Sequence, residues 1–221
     1  MEKLSCVIFD LDGTLAQTNQ LIFAAFNHVA QQYVSKTYSP EEITAMFGPP
    51  EEAAVESMVG QVHSREAMSS LLEYYGDHHG EFAWIHPGVE EMLEYLKSRN
   101  VRLGLFTGKG RSTTEITLVE FGLKRFFDVI VTGNDVVSHK PSAEGIRKIL
   151  RAMNLKTECA VFVGDSINDI RAAREAGVLI ASVVYDSFAK EKVLEMNPDL
   201  VFHSVDGLFS WVKNQLQTSY Q

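Results

Sequence analysis

Residues 4–15 read Leu-Ser-Cys-Val-Ile-Phe-Asp-Leu-Asp-Gly-Thr-Leu, a short apolar run that is followed at once by two carboxylates. The run 4–9 is too short to cross a bilayer and predicts a buried β-strand. Ligands of an open parallel sheet bind beyond the carboxyl ends of its strands, which is where Asp10 and Asp12 would lie. Gly13 permits a sharp turn after them. Taken alone, the same pattern also fits an ordinary turn after a strand.

Similar short runs recur along the chain and alternate with segments of helical periodicity. They predict further strands at 102–107, 128–132, 159–163, 179–184 and 200–202. Strands that alternate with helices are typical of βαβ units, in which helices cover both faces of a parallel sheet. The sequence therefore predicts an α/β fold with a doubly wound parallel sheet.

One long stretch, from about residue 16 to residue 84, breaks this alternation. It contains no convincing strand, and apolar residues such as Ile22, Phe26 and Val29 recur at helical spacing. The pair His78-His79 ends another helical pattern and is expected to face solvent. We therefore predict an α/β core formed by residues 1–15 and 85–221, and an inserted helical cap domain at 16–84.

Composition and charge narrow the class of protein. The chain has 221 residues, of which 45% are hydrophobic and 22% charged, as in ordinary globular domains. Its net charge is −9 and no basic stripe stands out, so nucleic acid and anionic membranes are not expected partners. No apolar run is long enough to span a bilayer, and signal-peptide features are lacking, so we expect a cytoplasmic protein.

Two later strand ends carry residues suited to holding an anion. Thr107 ends the second core strand and precedes Gly108, whose backbone N–H group can bind a phosphate oxygen together with the Thr107 hydroxyl. Lys140 follows the third core strand, and Pro141 fixes the backbone beside it. Each feature alone also fits a plain turn or a solvated surface charge.

Residues 161–169, Val-Phe-Val-Gly-Asp-Ser-Ile-Asn-Asp, place a second acidic pair at a strand end. Asp165 would complete a metal site with Asp10, because a hard cation such as Mg²⁺ relieves the repulsion between neighbouring carboxylates. Asp169, one helical turn later, would orient Lys140 or a ligand, or would cap the helix with Ser166. The four features occur in one order, each at a strand end, and jointly they indicate an active site.

The same four features resemble the motifs of the haloacid dehalogenase-like phosphatases, and the resemblance covers essentially the whole chain. They are residues 10–14 (Asp-Leu-Asp-Gly-Thr), Thr107, Lys140-Pro141 and residues 164–169 (Gly-Asp-Ser-Ile-Asn-Asp). The resemblance implies a Rossmann-like core, with residues 16–84 in the place of the family's helical cap. Residues 18–22 and 47–50 look closest to phosphoglycolate phosphatases and a related inorganic pyrophosphatase. Gln17 departs from the acidic residue that is frequent there, close to the hinge of the cap.

The resemblance also implies functions for individual residues. Asp10 would be the nucleophile and Asp12 its acid/base partner, and Mg²⁺ would be held by Asp10, Asp165 and the backbone carbonyl of Asp12. Thr107, Gly108 and Lys140 would hold the phosphate. Asp169 would support these residues without binding the phosphate or the metal itself. The candidate substrate-reading residues of the cap are Asn19, Gly48 and Pro49.

Three functions remain open from the sequence. The first is a magnesium-dependent phosphohydrolase acting on a small phosphorylated metabolite through an aspartyl-phosphate. The second is a phosphomutase, which shares the nucleophile and the acid/base aspartate but returns the phosphoryl group to a sugar. The third is a non-catalytic phosphate-sensing domain. It is disfavoured because no chemical residue is missing. Dehalogenation is disfavoured because Asp12 and the run 164–169 resemble the phosphatase branch of the family.

Overall fold

The computed structural model describes residues 3–217. Its strands are β1 (Cys6–Phe9), β2 (Ala16–Gln17), β3 (Trp84–Ile85), β4 (Arg102–Phe106), β5 (Val129–Val131), β6 (Ala160–Gly164), β7 (Leu179–Val183) and β8 (Leu200–Phe202). Its helices are α1 (Asn19–Val34), α2 (Pro40–Thr44), α3 (Glu51–Val59), α4 (Ser64–Asp77), α5 (His79–Phe82), α6 (Val89–Ser98), α7 (Arg111–Glu120), α8 (Glu144–Met153), α9 (Ile167–Ala176), α10 (Lys190–Glu195) and α11 (Val205–Gln217). Within the described chain, no helix is both long and apolar enough to span a membrane.

Six strands form one parallel sheet in the order β5-β4-β1-β6-β7-β8. The chain runs outward from β1 to β5 and then crosses to β6 on the other side of β1, so the strand order reverses there. Phe9 lies in register with Leu105 of β4 and Val163 of β6. This sheet confirms the predicted α/β class, and its reversal point places the carboxyl end of β1 where ligands of such sheets bind. The predicted strand ends lie within two residues of the observed ones.

The central strand β1 is buried on both faces, which is why it reads as a continuous apolar run. Val7 and Phe9 pack into a cluster with side chains of α6 and α11. Cys6 and Ile8 point to the opposite face and pack with α8 and α9. Burial of a large apolar side chain contributes about 1.5–3 kcal/mol, so both helix layers hold the strand in place.

The helices α1 to α4 pack around a hydrophobic cluster of their own, which includes Phe26, Val55, Leu71 and Tyr75. Phe121, at the end of α7, packs against this cluster from the side of the sheet domain. The boundaries of the cap at 16–84 stay a prediction, and this separate cluster favours them.

Two expectations about this region were wrong. The short strands β2 and β3 pair antiparallel at its two ends, with Ala16 opposite Ile85, although no strand was expected between 16 and 84. Two-residue strands are too short to produce a periodic pattern. His79 is buried rather than solvent-facing: its Nε2 lies 3.4 Å from Thr117 Oγ1, and its ring packs edge-on against Phe121. Both partners belong to the α7 region, far from His79 in sequence.

Candidate active site

The carboxyl ends of β1, β4 and β6 open onto one cavity of about 310 Å³. Asp10 follows β1, Thr107 follows β4 and Asp165 follows β6, and all three line this cavity. The backbone N–H of Asp10 donates to the carbonyl of Val163 at 2.8 Å, which extends the sheet pairing to the first polar residue. The parallel register thus carries these polar side chains to a common edge.

Lys140 connects two of the buried carboxylates. Its Nζ lies 2.8 Å from Asp10 Oδ1 and 2.7 Å from Asp169 Oδ1. Burial raises the pKa of Asp10 to about 7; the ammonium of Lys140 opposes this shift, and the negative charge of Asp169 adds to it. Burial alone would lower the pKa of Lys140, but Asp10 and Asp169 raise it above its ordinary value. Lys140 therefore stays charged beside Asp10.

Asp169 is fully buried and serves two partners at once. Its Oδ2 accepts from the Ser166 backbone N–H at 3.0 Å and from the Ser166 hydroxyl at 2.6 Å, closing a capping box at the start of α9. Its other oxygen holds Lys140. The two interpretations made from the sequence, a helix cap and an orienting group for Lys140, therefore both describe this residue.

Three carboxylates converge in the manner expected of a metal site. Asp10, Asp165 and Asp169 each offer one oxygen, and these oxygens lie within 4.8 Å of one another. Burial raises the pKa of Asp165 well above its usual range, and the charges of Asp169 and Asp10 raise it further. Among the described residues, Lys140 is the cation that contacts this group. The surplus of negative charge and the all-oxygen donor set fit a hard divalent cation.

The metal set expected from the sequence was Asp10, Asp12 and Asp165, whereas the cluster of side chains contains Asp169 instead of Asp12. The atom of Asp12 that was expected to bind is its backbone carbonyl, so its side chain is not required there. Both oxygens of Asp169 are already engaged, one by Lys140 and the other by Ser166, so Asp10 and Asp165 are the carboxylates with an oxygen left for an ion.

Two glycines make room for this arrangement. Gly13 has φ of +77°, and a Cβ placed there would lie 2.6 Å from Oδ2 of Asp165. A Cβ on Gly164 would lie 2.5 Å from Cγ of Asp169. Both positions therefore require glycine, because a side chain would displace a carboxylate of the cluster.

Asp12 lies in a separate network on the cap side of the cavity. Its Oδ1 accepts a hydrogen bond from the Thr18 hydroxyl, just before α1, and lies 3.4 Å from Lys109 Nζ. The Lys109 side chain is only 2% exposed, and its Nζ also lies 3.8 Å from Glu51 Oε1. Burial alone would lower the pKa of Lys109, but Asp12, together with Tyr75 and Glu51, raises it above its ordinary value. Asp12 therefore faces a permanent positive charge.

Glu51 begins α3 and links the cap helices to the sheet domain. Its carboxylate accepts from the backbone N–H of Gly110 and from the hydroxyl of Thr113, both at 2.6 Å. Lys109 and Glu51 both line the cavity, and neither was predicted as a site residue. In the sequence, Lys109 reads as part of a glycine-rich turn and Glu51 as an ordinary acid in the first turn of a helix.

The remaining predicted residues also reach the cavity. The cavity is lined by Asp12 and Lys140, and also by Asn19, Gly48, Pro49 and Gly108. Thr107 is buried, and its hydroxyl accepts from the backbone N–H of Lys109 at 3.2 Å. The structure thus gathers every predicted site residue around one space, with Asp169 behind Lys140. Their individual functions stay predictions.

Comparison with known proteins identifies the family. The model of the haloacid dehalogenase-like hydrolases matches residues 7–183 of this chain. The chain belongs to the haloacid dehalogenase-like hydrolases. This result confirms the resemblance read from the four motifs, and it makes the protein an enzyme of a hydrolase family.

Individual relatives cover nearly the full length of the chain. The pyrophosphatase PpaX of Bacillus thuringiensis (strain Al Hakam) is 32% identical over 206 residues, which are 93% of this chain and 95% of PpaX. A predicted phosphoglycolate phosphatase of Haemophilus somnus shares the fold, with a TM-score of 0.77 at 24% identity, over 92% of this chain and 96% of its own. A proposed β-phosphoglucomutase of Thermotoga maritima has a TM-score of 0.75 at 28% identity, over 95% and 99% of the two chains.

Proposed function

We propose that this enzyme is a magnesium-dependent phosphohydrolase that cleaves a small phosphorylated metabolite through an aspartyl-phosphate at Asp10. The observation that carries the proposal is the pairing of Asp10 with Lys140 at 2.8 Å, at the edge of a cavity that Asp12 also lines. A carboxylate nucleophile beside a fixed ammonium, with a second acid within reach of the same substrate, suits two-step transfer of a phosphoryl group.

In the first step, a carboxylate oxygen of Asp10 attacks phosphorus, and the bond from phosphorus to the leaving oxygen breaks. Asp12 donates a proton to that leaving oxygen, so the product departs as an alcohol rather than as an alkoxide. In the second step, Asp12 takes a proton from a water molecule that attacks the phosphorus of the aspartyl-phosphate. Inorganic phosphate leaves, and Asp10 regains its carboxylate.

The other residues hold the phosphate and its charge. The Thr107 hydroxyl, the Gly108 backbone N–H and the Lys140 ammonium would bind the non-bridging oxygens, while Asp169 keeps Lys140 in position. Asp10, Asp165 and the backbone carbonyl of Asp12 would hold Mg²⁺, which when bound offsets the repulsion between the nucleophile and an anionic phosphate.

The relatives support hydrolysis without naming the substrate of this chain. PpaX carries the name of a pyrophosphatase, and the Thermotoga maritima protein carries that of a mutase. The two reactions differ in the acceptor of the phosphoryl group, which is water for the hydrolase and a sugar phosphate for the mutase. Release of inorganic phosphate without a bisphosphate activator would favour the hydrolase, and isomerisation without release would favour the mutase. Location in the cytoplasm and the absence of nucleic-acid and membrane partners stay predictions.

The test is hydrolysis of a generic aryl phosphate with Mg²⁺ by the wild type and by Asp10→Asn. We expect the substitution to lower kcat on the order of 10³-fold or more, because an amide cannot attack phosphorus. Asp206→Asn, at an exposed position on α11, is the matched control and should keep full activity. An Asp10→Asn enzyme with most of the wild-type turnover would exclude the proposed nucleophile.

A further inference from the structure

The part of the cavity wall that the cap region forms is largely apolar. Five apolar side chains of the cap region line it: Ile22, Phe26, Met46, Phe47 and Ala54. The part of a substrate that remains after phosphoryl transfer must lie against this wall, because the phosphate occupies the end near β1. An apolar wall favours apolar groups of a ligand and disfavours charged ones that lack a partner.

A loop of the sheet domain completes the same wall. Phe188, which precedes α10, lines the cavity, and its ring meets that of Phe23 on α1 edge-on, with centroids 5.6 Å apart. This contact brings an aromatic side chain from each domain together beside the cavity. Phe188 is 58% exposed, so it is available to cover a bound ligand.

The cap side of the cavity offers no spare positive charge. Within the described chain, no lysine, arginine or histidine of residues 19–54 lines it, and its charged group is Glu51. The cation next to it is Lys109, which lies between Asp12 and Glu51 and is 2% exposed. Lys109 is thus already paired, and among the described residues a second anionic group of a substrate would meet the Glu51 carboxylate and no further cation on this side of the cavity.

The size of the cavity points in the same direction. The cavity has a volume of about 310 Å³. It lies at the lower end of the range of about 300–1,000 Å³ found for sites that bind organic ligands. The space therefore holds a phosphate together with an organic group of several carbon atoms.

We infer that the preferred substrate is the phosphate monoester of an uncharged alcohol with an apolar portion, rather than pyrophosphate or a phosphorylated carboxylic acid. The inference rests on the proposed hydrolase function and specifies its leaving group. It also separates this enzyme from the activity in the name of its relative PpaX. A leaving phosphate or carboxylate would bring another negative charge towards Glu51, whereas an apolar alcohol would pack against Phe47 and Met46.

Four substrates test the leaving group directly: benzyl phosphate, ethyl phosphate, 2-phosphoglycolate and pyrophosphate. The first three substrates release alcohols of similar basicity, so their chemical reactivity is similar. Differences in kcat/KM among them therefore report the apolar surface and the charge of the leaving group. With Mg²⁺, we expect kcat/KM for benzyl phosphate to exceed that for ethyl phosphate about tenfold, and both to exceed that for 2-phosphoglycolate and pyrophosphate. The highest kcat/KM for pyrophosphate or 2-phosphoglycolate would overturn the inference.

Two variants make the test specific to this wall. Phe47 is 42% exposed, so Phe47→Ala should fold normally and should lower kcat/KM for benzyl phosphate about tenfold and that for ethyl phosphate by less. Leu194→Ala, at a 37% exposed apolar position that does not line the cavity, is the control and should change neither. Met46→Lys adds a cation to the wall and should raise the ratio of 2-phosphoglycolate to ethyl phosphate turnover. An unchanged ratio in Met46→Lys, or an unchanged benzyl phosphate value in Phe47→Ala, would contradict the inference.

The outcomes separate this inference from the proposed function. Hydrolysis that depends on Asp10 but is fastest with pyrophosphate would leave the hydrolase mechanism intact and would overturn only the leaving group. Turnover that survives Asp10→Asn, or no turnover of any of the four phosphates, would overturn the hydrolase proposal and this inference with it.

Discussion

The Lys109 ammonium lies 3.4 Å from Oδ1 of Asp12. One residue belongs to the turn after β4 and the other follows β1, so the fold alone brings them together. Lys109 in turn contacts Glu51 of the cap, which makes Asp12, the proposed acid/base residue, part of a network that spans the two parts of the molecule. We therefore expect the position of Asp12 to depend on residues that never touch the phosphate.

Lys109→Met tests this dependence. The variant keeps the length of the side chain and removes the charge that fixes Asp12, so we expect kcat to fall about 10–100-fold with a smaller change in KM. Steady-state kinetics on an aryl phosphate with Mg²⁺ measure both. Lys192→Met, at an exposed position on α10, is the matched control. Equal kcat values for Lys109→Met and the wild type would show that Asp12 does not need this partner.

Metal binding is testable without turnover. Because Asp10, Asp165 and Asp169 repel one another, we expect Mg²⁺ to raise the Tm of the wild type in a concentration-dependent manner. Asp165→Asn removes one of these charges, so the metal-free variant should melt at or above the Tm of the metal-free wild type and should lose most of the Mg²⁺-dependent rise. Activity should vanish with a chelator and return with Mg²⁺. A Tm rise of equal size in Asp165→Asn would place the ion elsewhere.

Gly13→Ala separates backbone strain from crowding of the site. A positive φ costs a non-glycine residue about 1–2 kcal/mol, and at Gly13 the added Cβ also meets Asp165 at 2.6 Å. Gly177 has a similar φ of +73° with no atom within 4 Å of an added Cβ, so Gly177→Ala incurs only the free-energy cost of the positive φ. We expect denaturant unfolding to show a larger loss of stability for Gly13→Ala, and kinetics to show lost activity only in that variant. Equal effects in both variants would remove the steric argument.

The contacts of Glu51 with the start of α7 predict that its loss changes KM more than kcat. Glu51→Ala loses the acceptor of the Gly110 N–H and of the Thr113 hydroxyl, so the cap should close less completely over the substrate. We expect KM to rise about tenfold and kcat to fall less. The exposed residue Glu56, later on α3, supplies the control, Glu56→Ala, which should leave both constants near their wild-type values. A fall in kcat alone would assign Glu51 to the chemical step instead.

The sequence predicted the sheet and the four strand-end motifs because both rest on local patterns. The run that contains Ile8 reads as a strand because it is buried on both faces, and Asp10 follows it directly. Lys109 and Glu51 escaped prediction because their importance comes from contacts between distant segments, which no local pattern encodes. The burial of His79 against α7 was not predicted for the same reason.

The most direct test of the account is detection of the phosphoryl group on Asp10. Wild-type enzyme that turns over an aryl phosphate with Mg²⁺ is quenched in acid, digested and examined by peptide mass spectrometry. Asp12→Asn is treated in parallel, because loss of the proposed general base should slow hydrolysis of the intermediate and let it accumulate. The account predicts a phosphorylated peptide that contains Asp10, more abundant in Asp12→Asn and absent in Asp10→Asn. A phosphoryl group on another residue would contradict the account. So would the absence of a phosphorylated peptide in both the wild type and Asp12→Asn while the wild type hydrolyses the substrate.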